Sequence, residues 1–518
     1  MEDKKNILYD ACVIGAGMSG LACAIRLSMA GLKVALVEKH SIPGGLNSYY
    51  YRKDSSGKRQ MIDVGLHALT NYTDAKIKGP LSKILKQLRI RHADLNLIPQ
   101  KKSLIKLREK KLEFSNDFEL LKKNIQQSFP EDYLSFLEIH DEILNFNEFE
   151  VAPSFRSSLD FLKNKIRRED LVNLIMAPLL IYGSCWAKDM DLPQFVIMYK
   201  AIYLEGFAQI NGGVKHLIDI LIKKVKEGEV EIFYSTRVKK ITNSRIPILN
   251  SNSNSSQNIK MVLAQHPKYG ELEIKAHQVY SSTGKTLTDQ FLVGDYPELN
   301  HDLLSGDLTF VESLIIIRFS SAEEMILRKN HLAYSIIFHS ELDLFIYEKP
   351  NDYFSSVSAV ICFPQNFASE KNLQACDELD FTIRVTYLAS YQKWKEFSAT
   401  DYEKSKNEVM VSAKKLMNQY FPFSDSEIIL SDVFTPLTIE KFTAKPNGAV
   451  YGNPQKFSSG QTVDPNVFLI GTDQGFLGIT GSLLSGISIG NAFGVMKDLR
   501  QTQIKDQMKD QMKEMTRL

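Results

Sequence analysis

Residues 11–38, ACVIGAGMSGLACAIRLSMAGLKVALVE, decide the reading of this chain. Residues 11–14 form a short apolar run suited to a buried strand. Residues 21–29 carry apolar side chains at helical spacing, Gly31 stops that helix, and residues 33–37 return to a β-branched, apolar strand. Between the first strand and the helix lies Gly15-Ala16-Gly17-Met18-Ser19-Gly20, a GxGxxG in the place where its glycines have work to do. Gly15 permits the tight turn, Gly17 lets a pyrophosphate approach the backbone, and Gly20 lets helix and strand pack closely. The first amides of the helix and its dipole then favour an anion. Glu38 ends the second strand, 18 residues beyond Gly20, where a carboxylate accepts ribose hydroxyls and repels a 2′-phosphate.

The rest of the chain sets the frame. Its 518 residues are 44% hydrophobic and 24% charged, so a full core is available and a disordered or collagen-like chain is excluded. Lys plus Arg (63) nearly balance Asp plus Glu (61), and a net charge of +2 gives no reason to expect nucleic acid as a partner. Cys12, Cys23, Cys185, Cys362 and Cys376 are scattered and odd in number. They suggest neither a disulfide framework nor a metal site, and fit a reducing, cytoplasmic setting. An N-terminal signal peptide is not expected, because Asp10 interrupts the approach to the apolar run. Residues 171–187 are apolar but contain Asn173 and Pro178 and are too few for a spanning helix.

Beyond Glu38 come Pro43-Gly44-Gly45, a hairpin-like YYYRKDSSGKRQ, and Ile62-Asp63-Val64-Gly65-Leu66-His67. Near the other end, residues 466–491 read NVFLIGTDQGFLGITGSLLSGISIGN: a strand, a Gly-rich turn and a small-residue helix. Upstream of it, residues 435–452 read TPLTIEKFTAKPNGAVYG. Together these segments resemble the FAD-dependent phytoene desaturases, carotenoid isomerases and retinol saturases of the flavin-containing amine oxidase superfamily. The resemblance is clear over the first ~70 and last ~85 residues, a scale set by the ~30-residue βαβ unit and its counterpart.

The resemblance implies non-covalent FAD. Gly44 and Gly45 would bring backbone against it, and His67 would lie near its isoalloxazine as an acid/base or as a loop-fixing residue. Val238 would meet the adenine through its backbone, and the turn ending at Gly284 would pass beneath the cofactor. Gly471 belongs to the C-terminal turn, Asp473 would accept from the ribityl chain, and Gly478, Ile479 and Thr480 would present amides to the flavin. The arginine usual after the double glycine is Leu46 here. No metal is implied. The catalytic acid/base stays open between His67, Glu205 and neither.

The implied fold is α/β: a Rossmann-like FAD-binding domain from discontinuous segments (1–75, 206–290, 456–500) with an inserted α+β substrate domain. The insert divides into a helical part (76–205) and a β-rich part (291–455), and residues 501–518 form a helical tail. The implied reaction moves a hydride at a carbon–carbon bond of a lipophilic polyene or isoprenoid. The alternatives are an amine or porphyrinogen oxidase, and a prenyl-binding escort of the GDP dissociation inhibitor type. Met176, Met190, Phe195, Met198, Tyr199 and Tyr203 read either as a lipid tunnel or as the core of the helical part. Residues 76–111 hold twelve Lys/Arg against Asp94 and Glu109, a net of +10, around an apolar helical face of Leu81, Ile84, Leu85 and Leu88. They read either as a solvated surface or as a peripheral contact with anionic membrane. Residues 243–260 are a Ser/Asn-rich excursion, read as an exposed loop.

Overall fold

The first forty residues fold as their periodicity demands. In the computed structural model, which describes residues 7–65, 68–73, 79–147, 154–245, 258–299, 306–367 and 379–495, strand β1 (Leu8–Ile14) runs into helix α1 (Met18–Met29) and then strand β2 (Val34–Val37). β1 and β2 pair in parallel, Ala11 opposite Val34 and Ile14 opposite Val37. All four residues of β2 are buried, as a parallel strand covered on both faces must be.

Around this unit a seven-stranded sheet assembles from distant parts of the chain. Glu231–Phe233 pairs in parallel with β2. On the other side the long strand Gly270–Ser281 runs parallel to β1, and Val467–Leu469 lies parallel to its end. Arg237–Arg245 and Asn258–His266 extend the sheet as an antiparallel meander. The Ser/Asn-rich excursion between them lies largely outside the described residues. Helices α1, Gly213–Glu227 and Gly478–Ile489 cover one face, closing a core of Leu21, Ile25, Leu36, Leu217 and Leu483.

A second seven-stranded sheet has the order Ile428–Phe434, Thr309–Arg318, Asp380–Ala389, Phe354–Cys362, Ile336–Ser340, Ser103–Leu107, Lys110–Phe114. Helices from Phe118 to Tyr199 pack on one side around Phe114, Ile175 and Phe338. Helix Ala399–Tyr420 covers the other side over Ile315, Ile361 and Val385. This mixed α/β architecture, with a Rossmann-like layer and a second sheet, agrees with the expected class.

Two expectations change. The region after residue 76, read as mainly helical, contains the hairpin Ser103–Leu107/Lys110–Phe114. Its apolar residues alternate, and Arg108 takes φ +50° at the turn, so the period is that of a strand. The basic stretch is therefore split between two sheets. The apolar face of helix Pro80–Gln87 is also occupied: Leu81, Ile84 and Leu85 are buried in the nucleotide-layer core. It offers no apolar face to lipid. Residues 171–187 fall mostly in the buried helix Glu169–Gly183, and no described helix is long and apolar enough to cross a membrane. The tail 501–518, His67 and Cys376 lie outside the described residues.

Candidate functional site

A cavity of about 780 Å³ runs between the two sheets, beginning at the end of β1 and β2. Its first wall is the Gly15–Gly20 turn. Gly15 sits at φ +93°, with its N–H donating to Val37 O at 2.7 Å. A Cβ there would meet Ser282 Oγ at 2.3 Å. Gly17 caps α1, no side chain caps the helix, and no acid stands in its first turn. Gly17 and Met18 line the cavity, so the positive end of the helix faces open space. The Pro43-Gly44-Gly45 loop lies against this turn: Gly44 N–H donates to Ala16 O at 2.8 Å, and a Cβ on Gly45 would stand 3.3 Å from Gly17 Cα. Gly20 is not a cavity residue. It lies behind the turn, where a Cβ would be 1.8 Å from Gly15 O.

Glu38 closes one end. It is buried yet lines the cavity. Its Oε2 accepts from Ala16 N–H at 2.7 Å and its Oε1 from His40 N–H at 2.8 Å. Thr236 N–H donates to Glu38 O at 2.8 Å, which brings Thr236, Arg237 and Val238 to the same end. Helix Pro436–Thr443 reaches across from the second sheet to cover it. Lys39 Nζ donates to Lys441 O at 2.7 Å, and His40 Nε2 pairs with Phe442 O at 2.9 Å. Burial, and then Arg237 beside it, bring the Lys39 ammonium down to about 8.

The floor is made by Ser282, Thr283 and Thr472, with Lys445 beside them. Gly284, Gly471, Asp473 and Thr480 stand one layer lower and do not line the cavity. Asp473 joins two loops there: Oδ2 accepts from Lys285 N–H at 2.7 Å and Oδ1 from Asn453 N–H at 3.0 Å. Burial pushes its carboxyl up, but Lys445, Lys456 and those two amides outweigh it and hold it at about 2. A second uncapped helix N-terminus, at Gly478–Ile489, points into the cavity through Gly478 and Ile479. Thr480 Oγ1 is buried and has no hydrogen-bond partner.

The far end is a chamber bounded by Asp63, Gly65, Leu69, Ile181, Tyr182, Met198, Phe310 and Tyr451. Of the six Met and aromatic residues read as tunnel or core, Met198 lines it. Met176, Met190, Phe195, Tyr199 and Tyr203 are packed in the helical core. Glu205 is not a cavity residue and accepts from Asn71 Nδ2 at 2.8 Å.

Sequence reading missed Lys39, Lys445, Tyr182, Tyr451 and the pair Glu312–Arg384. Glu312 carried a signal, a lone acid in the apolar run VESLIII. Arg384 carried none, because strand register alone brings it near Glu312. Among the described residues no cluster of His, Cys, Asp and Glu is arranged to hold a metal, and Cys12, Cys23, Cys185 and Cys362 form no disulfide.

These residues fit a dinucleotide. Two helix N-termini without side-chain caps face one elongated cavity, and its glycine turn has room for a backbone-hugging phosphate where a Cβ on Gly17 would meet only Gly45 Cα at 4.0 Å. Comparison with known proteins agrees. A family model of the NAD(P)-binding Rossmann-like domain matches residues 13–88. Over 492 residues the chain is 23% identical to prolycopene isomerase of Daucus carota, covering 86% of this chain and 72% of that protein. It is 20% identical over 546 residues to all-trans-retinol 13,14-reductase of Danio rerio, covering 93% and 85%. Putrescine oxidase bound to putrescine superposes with a TM-score of 0.59 at 14% identity over 93% of this chain and 98% of that one. Cyclohexylamine oxidase from Brevibacterium oxydans IH-35A gives 0.58 at 13% over 95% and 99%. At such identities the structural likeness establishes the fold. The chain is thus similar in sequence to prolycopene isomerase and all-trans-retinol 13,14-reductase, and it shares the fold of the amine oxidases.

Proposed function

We propose that the chain is an FAD-dependent oxidoreductase acting on a carbon–carbon bond of a lipophilic polyene or isoprenoid. The observation that carries the reading is the continuity of the cavity. It joins a nucleotide-type end at Glu38 and Gly17 to a largely apolar chamber at Tyr182, Met198 and Phe310. A long apolar molecule fits such a chamber because its burial is favourable by about 25 cal/mol per Å² of apolar surface. When bound, FAD supplies hydride transfer at its flavin ring.

The chain's own residues divide the remaining work. Glu38 would accept the adenosine ribose, the Gly15–Gly20 turn and Gly44 would hold the pyrophosphate, and Val238 would line the adenine. Gly478 and Ile479 would offer amides at the flavin end. The apolar wall would exclude water and hold the substrate carbon still. In this reading segments 1–75, 206–290 and 456–500 serve the cofactor, and 76–205 with 291–455 serve the substrate. The similarity to prolycopene isomerase and retinol reductase supports a polyene-like substrate.

The test is direct. The purified protein should show flavin absorbance, and denaturation should release free FAD. Release of NADP, or of no nucleotide, would overturn the reading, and release of no nucleotide would favour a non-redox prenyl carrier.

A further inference from the structure

The floor of the cavity carries more positive charge than its own acid matches. Lys445 follows helix Pro436–Thr443 and lines the cavity, with a side chain only 16% exposed. Its Nζ donates to Thr472 Oγ1 and lies 3.6 Å from Asp473 Oδ1, a neighbouring charge beyond hydrogen-bond distance. Lys456 Nζ reaches the same turn, donating to Tyr451 O at 2.7 Å and to Thr472 O at 3.1 Å. Two ammonium groups thus grip Thr472 and share one carboxylate, Asp473, whose oxygens already accept from Lys285 N–H and Asn453 N–H. Lys285 Nζ adds nothing to the excess, because it pairs with Asp289. Burial holds the Lys456 ammonium below its ordinary value, with Cys185 and Asp473 opposing the fall and Lys445 deepening it.

Joining the two loops does not require this. One lysine would balance Asp473, and a second ammonium taken out of water costs free energy unless an anion meets it. The acids that line the cavity stand elsewhere: Glu38 and Glu440 act on Lys39 at the ribose end, and Asp63 and Glu312 bound the chamber. What lies against the lysine floor is the glycine turn. A Cβ on Gly15 would meet Ser282 Oγ at 2.3 Å, and one on Gly471, next to Thr472, would meet Ser19 Oγ at 3.1 Å. The uncapped N-terminus of α1 supplies about half a positive charge there. Leu46, beside the double glycine, lines the cavity and brings none. A doubly charged diphosphate would leave most of its charge unmatched by the helix alone, and the shared lysine pair provides the rest.

We infer that Lys445, held at Thr472 beside Lys456, is the ammonium that pairs with the diphosphate of the dinucleotide in this cavity. The inference deepens the reading of the cavity as a cofactor site and rests on it. It also moves one cofactor contact into the segment 291–455, which is otherwise assigned to the substrate. An ion pair from that segment would tie the second sheet to the nucleotide layer through the cofactor.

The test compares ADP with adenosine, which differ in the diphosphate alone. The full-length protein, freed of flavin by dialysis against potassium bromide, is titrated calorimetrically with each. ADP should bind the wild-type protein about tenfold or more tighter than adenosine, and Lys445→Met should shrink that ratio by about tenfold, the range of one charge-assisted hydrogen bond. Lys445→Arg, which keeps the charge, should restore most of it. A structural role would weaken both ligands alike, so an unchanged ratio in Lys445→Met would overturn the inference. Equal binding of ADP and adenosine by the wild-type protein would overturn it as well. Should the stripped protein not keep its fold, the flavin-loaded protein answers the same question. FAD should leave Lys445→Met about tenfold faster than wild type, followed by the fluorescence of released flavin, and equal rates would overturn the inference. Absence of flavin from the wild-type protein would overturn the FAD reading, and the ADP-to-adenosine ratio would still decide the role of the lysine.

Discussion

Glu38 Oε2 accepts the backbone N–H of Ala16 at 2.7 Å, across the mouth of the glycine turn. With His40 N–H on Oε1 at 2.8 Å, the carboxylate ties the end of β2 to the start of α1. A residue read as a ribose acceptor is thus also a clamp on the turn that would hold the phosphates.

This double role separates two substitutions. Glu38→Gln keeps one acceptor for Ala16 but turns an amide toward His40 or the ribose, so partial FAD occupancy and a modest loss of stability are expected. Glu38→Arg offers only donors and leaves two amides unpaired, at about 1–3 kcal/mol each when buried. We expect it to purify without flavin and with a lowered melting temperature. Equal flavin content in the two variants would contradict the assignment.

The glycines of the turn should fail in different ways. Gly17 has an ordinary φ of −72° and open space where a Cβ would go. Gly17→Ala should fold with nearly wild-type stability and lose FAD, because the methyl group occupies the path of the phosphate. A Cβ on Gly20 would strike the backbone of Gly15 at 1.8 Å. Gly20→Ala should lose about 3 kcal/mol of stability, the upper range for overpacking. Urea unfolding of both apo-proteins, with flavin content of both holo-proteins, distinguishes the cases.

Asp473 gives a pH signature. Its carboxyl is held at about 2 against an ordinary 3.8, with Lys445, Lys456 and two backbone amides overcoming the effect of burial. A depressed carboxyl contributes stability that is full above its unfolded value and is lost as pH falls through its folded value. The contribution, about 2 kcal/mol on a 1.36 kcal/mol per unit scale, should be present at pH 5, fall off as the pH approaches the folded value of about 2 and be gone below it. Asp473→Asn should therefore be less stable than wild type at pH 5, and the gap should close on acidification. A gap independent of pH would show that the carboxylate charge is not what joins the two loops.

How far the sequence could be read follows from the range of the interactions. The unit β1–α1–β2 was legible because each of its features is local: a strand, a turn whose glycines answer steric needs, and an acid at a set distance. Gly44, Gly478 and Ile479 were implied by the family resemblance and line the cavity, whereas Thr480, implied beside them, does not. Asp473 was legible as an important residue but not in its placement, since its partners come from Lys285, Lys445 and Asn453. Glu312 and Arg384 meet only through strand register, which depends on pairing between segments about seventy residues apart in the chain. The hairpin Ser103–Phe114 was hidden by its charge run, which drew attention to the lysines and away from the two-residue alternation beneath them.

The basic stretch yields the last prediction. Helix Pro80–Gln87 buries Leu81, Ile84 and Leu85 in the nucleotide-layer core, while Lys83, Lys86 and Arg89 stay exposed. In the hairpin, Lys102 pairs with Glu113 at 2.9 Å and Lys110 lies 3.6 Å from Asp170. Within the described residues of this stretch, any hold on an anionic membrane must then come from exposed charge, at about 1 kcal/mol per basic residue near the surface and screened over about 8 Å. Leu85→Ala should lower stability by about 2–5 kcal/mol, read as a fall in the urea midpoint at constant slope, and should not change vesicle binding. The triple variant Lys83→Glu/Lys86→Glu/Arg89→Glu should do the reverse: stability close to wild type, and weaker binding to anionic vesicles at low salt. A Leu85→Ala protein that keeps its urea midpoint but leaves the vesicles would show that this face meets lipid and not the core.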